Sequence, residues 1–175
     1  MIKIKSLKCR ISFIGIILFL IGCFDSQDLH KKKDTKDNNP LIYGFNEIID
    51  FDRIQKGDID EATKYYINDA DRILIEILTV SDISKTFDNT LLKVDDIYNT
   101  ISKIWNLIEL LTSTHPLEDI RDEARRNDLE IQRYMLDLSL NEDLYNSISA
   151  YSQSKESEKL MGHRKYFLED QLLEF

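Results

Sequence analysis

From Asp58 to the end of the chain, apolar residues return every three or four positions, and no stretch shows the strict alternation of a half-buried strand. A chain patterned in this way buries its apolar side chains by packing helices face to face. Only five Gly and two Pro occur in 175 residues, so material for tight β-turns is scarce. The expected architecture is all-α, an antiparallel bundle of about five helices. The first helix is expected at Asp58, where Glu61 three residues on resembles a capping box. Its inward face is expected to carry Ile59, Ala62, Tyr66, Ile73, Ile77 and Val80. A second helix begins near Phe87, with Leu91, Val94, Tyr98, Ile101, Trp105 and Ile108 close to a heptad seam. Thr112 to His115 breaks that seam, and Pro116 suits the first turn of a third helix because its missing N–H is unpaired there anyway. That helix should turn Leu117, Ile120, Ala124, Ile131, Tyr134 and Leu138 inward, and a charged face from Glu118 and Asp119 to Arg133 outward. Asn141 is the expected N-cap of a short fourth helix with Leu144, Tyr145, Ile148 and Tyr151. After a polar break at Ser152 to Ser157, a fifth helix carries Leu160, Met161, Phe167, Leu168 and Leu172.

The N-terminal segment follows a different rule. Lys3, Lys5, Lys8 and Arg10 precede an apolar run from Ile11 to Ile21, shorter than the roughly 20 residues a spanning helix needs. A cleaved signal therefore fits better than a permanent anchor. Leu20-Ile21-Gly22-Cys23 resembles the lipobox of bacterial lipoproteins. The resemblance implies a signal peptide over 1–22, diacylation of Cys23, and a membrane anchor of palmitate-type chains on the new N-terminus. Two or three such chains hold stably where one does not. Residues 23–44 then read as a lipidated tether, rich in Asp, Lys, Asn, Ser and Gln and holding Lys31-Lys32-Lys33, and residues 45–175 as the helical domain. A flexible tether of about 20 residues would reach roughly 25 Å.

Cysteine and charge narrow the chemistry. Cys9 lies in the signal, so lipid on Cys23 consumes the one remaining thiol and leaves none for a disulfide, a nucleophile or a metal. Removing the four positive signal residues takes the net charge from −9 to −13. Such a polyanion disfavours nucleic acid and anionic headgroups, so the expected membrane contact is the lipid alone. His30, His115 and His163 are the only histidines, and no two have the spacing of H-E-x-x-H. His115 and Glu118 make one H-x-x-E pair, which helix capping explains more simply. There is no glycine-rich phosphate loop and no nucleophile elbow, and no cofactor is expected. The tyrosines and Trp105 fall at helical spacing, which reads as core.

Several segments share a further resemblance. Phe51-Asp52-Arg53-Ile54 before the helix from Asp58 resembles the start of the thimet oligopeptidase and oligopeptidase A family of zinc metallopeptidases. Thr86-Phe87-Asp88-Asn89-Thr90-Leu91 is similar to that family's threonine-phenylalanine-glutamate-asparagine-threonine stretch, with Asp88 in place of the glutamate. Ile120-Arg121, the run to Asp137, and Leu140-Asn141-Glu142-Asp143-Leu144-Tyr145 look like the helices that follow. The likeness spans residues 45–175 and implies the family's N-terminal helical part, a wall of the substrate channel. The zinc ligands and the catalytic glutamate belong to a later domain of that family, so no catalytic residue carries over to a position here.

The expected function is therefore non-enzymatic: a lipid-anchored envelope protein whose helical domain binds a protein. Peptide binding along the channel wall, or service as the non-catalytic part of a split zinc oligopeptidase, are the alternatives. Leu172, Leu173 and Phe175 form a candidate partner surface if they do not close the bundle. Phe24 follows Cys23 where some bacteria place an aspartate for inner-membrane retention, and the Lys-, Ile- and Asn-rich usage is similar to spirochaetal surface lipoproteins. The outer surface is thus the favoured location.

Overall fold

The first helix, α1 (Asp58–Thr79), forms where Ile59, Ala62, Thr63, Tyr66, Ala70, Ile73 and Ile77 come round to one buried face. In the computed structural model, which describes residues 39–44 and 46–174, four more α-helices follow. These are α2 (Leu92–Thr114), α3 (Glu118–Ser139), α4 (Glu142–Ser152) and α5 (His163–Glu174). No strand occurs among the described residues, and the fold is the expected all-α bundle. Among the described residues no helix is long and apolar enough to cross a membrane. Cys23, the expected signal and most of the expected tether lie outside the described residues, as does Phe175.

Side-chain contacts fix the directions of the helices. Gly57 meets Glu123 and Asp60 meets Asn127 at nearly constant sequence separation, so α1 and α3 run parallel. Between them α2 runs the other way: its Lys93 reaches back to Glu76, and Trp105 donates its indole N–H to Asp128 at 2.9 Å. The α1–α2–α3 layer is thus up-down-up, and α4 and α5 complete one continuous core. That core holds Ile97, Ile101, Ile104, Ile108 and Leu111 from α2, all but closed to solvent.

Several local expectations need correction. Residues 39–42 are not tether: Leu41 and Ile42 are core, and Asn39 hydrogen-bonds to Asp58 and Glu61. The Tyr66 hydroxyl donates to the Leu41 carbonyl and accepts from the Tyr43 N–H, so this segment is pinned along α1. Pro116 is not in the first turn of α3; it lies two residues ahead. His115 before it is extended (φ −66°, ψ 133°), as the proline ring demands, and caps α2 instead. Leu117 is the residue before α3 and points to solvent. Val80 ends α1 and is only half-buried, and Leu160 and Met161 precede α5, with Met161 exposed.

The entry to α2 is a π-helical turn, Phe87–Leu91. The Thr86 hydroxyl accepts from the Asn89 N–H, and the Asn89 side chain accepts from the Thr86 N–H at 2.7 Å. This reciprocal box satisfies two N-terminal donors that a helix leaves orphaned. Just before it, buried Lys85 turns its ammonium back to the Val80 carbonyl at 2.9 Å, which closes the α1–α2 connection.

Candidate functional site

The N-terminus of α1 carries the most elaborate polar arrangement in the domain. Gly57, at φ 100°, occupies the N-cap, a conformation that L side chains rarely adopt, and it supplies no capping oxygen. The Asp58 side chain accepts from the Gln55 N–H outside the helix, so the capping box expected from Asp58 and Glu61 does not form. Glu123 of α3 caps the helix in their place. Its fully buried carboxylate accepts from the N–H groups of Gly57, Ile59 and Asp60 at 2.9–3.1 Å. One turn on, Asn127 donates to Asp60 at 2.6 Å and to the Glu123 carbonyl at 2.9 Å. A negative group at the positive end of the helix dipole is favourable, and here it also binds two helices together. The site that could have held an external anion is filled by the protein's own side chain.

The expected partner residues do not share one surface. Leu172 is half-buried against the core and lines a shallow depression of about 350 Å³ with Leu140, Asn141, Glu142 and Tyr145. Leu173, 84% exposed, lies on the other flank of α5. There it borders a second open depression of about 350 Å³ with Tyr166, Phe167, Glu169 and Asp170. Leu172 thus helps to close the bundle, while Leu173 faces outward. Tyr166, three-quarters exposed, shares the outer flank of α5 and was not singled out by sequence, because periodicity marks inward residues only. At the start of the same helix Arg164 lies over the Phe87 ring at 4.5 Å, a cation–π contact that joins α5 to the π-turn.

The histidines lie apart. His163 opens α5 in solvent, and the His115 Nδ1 accepts the Leu117 N–H at 3.3 Å, a turn-capping role in place of the H-x-x-E pair with Glu118. Among the described residues no three His, Cys, Asp or Glu are grouped to hold a metal ion. Four tyrosines have hydroxyls driven to high pKa. Burial pushes Tyr66, Tyr98 and Tyr151 up to about 12, with nearby carboxylates such as Glu174 beside Tyr98 adding to it. Burial raises Tyr134 still further, and Asp71 reinforces the shift. These groups are proton-retaining core residues at neutral pH. Compared with known protein families and with curated proteins, the chain matches none.

Proposed function

We propose that this chain is a non-enzymatic lipoprotein of a bacterial envelope, anchored through Cys23 and displayed at the outer surface, whose helical domain binds a protein partner. The observation that carries the binding part is the outer flank of α5, where Leu173 and Tyr166 stand in solvent between Glu169 and Asp170. Aromatic and leucine anchors bordered by charge are the composition of a contact surface, and the acids favour a partner with a basic patch. The net charge of −13 after signal removal speaks in the same direction, toward a protein and away from nucleic acid.

The test has two arms. Cys23→Ser should abolish incorporation of labelled palmitate and release the protein from the membrane fraction; continued labelling would remove the anchor from the proposal. A photo-crosslinking residue placed at Tyr166 or Leu173 in living cells should give one discrete adduct, and the same residue at Lys64 of α1 should not. Equal adducts at all three positions, or none, would reject the α5 surface. The same purified protein, given zinc and peptide substrates, should neither cleave nor bind them. Peptide binding without cleavage, or cleavage on adding a separately encoded zinc domain, would instead support the readings that follow from the oligopeptidase resemblance.

A further inference from the structure

The outward face of α3 carries a stripe that the bundle leaves uncovered. Leu129 and Leu136 on the helix and Leu140 at its C-cap stand seven and four residues apart and are 62%, 57% and 69% exposed. At 100° per residue they fall within about 40° of one another, along about 16 Å of the helix axis. This is the spacing of a coiled-coil seam. The opposite side of α3 is already occupied by α1 and α2, through Ile120, Ala124, Ile131 and Leu138.

Charge along the stripe is polar in the directional sense. Exposed positions from 125 to 133 hold Arg125, Arg126 and Arg133 against the single acid Glu130. Arg125 pairs with Asp122, while Arg126 and Arg133 make no ion pair among the described residues. Between Leu136 and Tyr145 the exposed charges are Asp137, Glu142 and Asp143, with no base among them. Two such stripes laid parallel would set arginine against arginine and acid against acid. Laid antiparallel, the arginine turn of each meets the acidic turn of the other while the leucines face across the axis. The leucine ridge also runs into its own receptor: Leu140 borders the depression formed with Glu142, Tyr145 and Leu172. A ridge, a groove and both charges on one face are what a two-fold, self-complementary contact requires.

We infer that a second copy of this chain docks antiparallel on the outer face of α3, with Leu129, Leu136 and Leu140 at its centre and Arg126 and Arg133 directed at Asp137 and Glu142 of the partner. The net charge of each copy opposes this at long range. At physiological salt the Debye length is about 8 Å, so distant charges are screened while pairs in contact are not. This surface is separate from the outer flank of α5, and the inference stands without the function proposed above.

The test is sedimentation equilibrium on residues 34–175, a compact unit of its own that contains every core side chain named here. Across the micromolar to submillimolar range at physiological ionic strength, the wild type is expected to be in monomer–dimer equilibrium. Leu136→Glu with Leu140→Glu should leave it monomeric, with an unchanged helical circular dichroism spectrum because both positions are exposed. Arg126→Glu with Arg133→Glu should weaken the dimer by roughly tenfold. Adding Asp137→Lys and Glu142→Lys to that chain should restore it. A wild type that is monomeric throughout overturns the inference, and so does a dimer that the leucine substitutions leave intact. A dimer that the second charge reversal fails to restore overturns the antiparallel order.

Discussion

Removing the carboxylate of Glu123 should loosen two helices at once. The side chain is fully buried, and desolvating its charge costs several kcal/mol, a cost that its hydrogen bonds and the helix dipole must offset. Glu123→Gln keeps the shape but removes the charge and turns an NH2 toward N–H groups that need an acceptor. A hydrogen bond to a charged group contributes about 1.5–3 kcal/mol net, but three donors sharing two oxygens do not add in full. The expected loss for Glu123→Gln is about 2–3 kcal/mol. Glu123→Ala adds a small cavity and leaves the buried Ile59 N–H without a partner, so its expected loss is about 3–5 kcal/mol. Against a total stability of about 5–15 kcal/mol, the alanine variant loses a large share, and comes near to unfolding if the total is at the low end. Urea titration followed by helical circular dichroism, and by the fluorescence of Trp105 beside Asp128, measures the loss. Native-state hydrogen exchange should also show Gly57, Ile59 and Asp60 losing protection before the rest of α1 does. If both variants stay within about 0.5 kcal/mol of wild type, the carboxylate is no cap and the reasoning fails.

Other expectations concern single sites. Asn141→Ala removes the side chain that accepts from the Leu144 N–H at 2.9 Å and should lower stability by about 1 kcal/mol, read from the melting temperature. Thr86→Ala should cost a similar amount, about 1 kcal/mol, by opening the box at the π-turn; a neutral result would show that Asn89 suffices. Leu173→Asp should leave stability within about 0.5 kcal/mol of wild type, because the side chain stands in solvent. Raised tyrosine pKa values give the domain an alkaline limit. Tyr66, Tyr98 and Tyr151 ionise near 10 when unfolded and near about 12 when folded, so their contribution is complete below pH 10 and is lost as pH rises through 12. Ultraviolet tyrosinate absorbance should therefore still be rising as pH passes about 12, together with loss of helix.

The helices were legible because burial follows the 3.6-residue period, and α1, α2 and α4 begin within a few residues of where spacing places them. Asn141 was legible as a cap because its partner, Leu144, is three residues away. Glu123 was not, because the donors it satisfies lie 63–66 residues earlier and apolar periodicity passes over a buried acid. Asn89 is not legible as half of a box, because the usual partner at that position is Glu or Gln. Leu41 and Ile42 were hidden by the polar composition around them, although two apolar residues against α1 are enough to move the start of the domain. Of the candidate partner surface, sequence placed Leu172 and Leu173 together. Adjacent helical residues point about 100° apart, and the structure puts them on opposite flanks of α5.

The bond between Glu123 and the start of α1 also has a temporal meaning. Neighbouring helices can zip together over short loops, but this latch must wait until α3 has returned alongside α1, across 66 residues of chain. By that separation it should be among the last contacts to form and the first to break. Its weight should therefore fall on how slowly the native domain opens, with little effect on how quickly it folds. Wherever proteases meet whatever opens, the lifetime of the closed bundle would then be set in large part by one carboxylate.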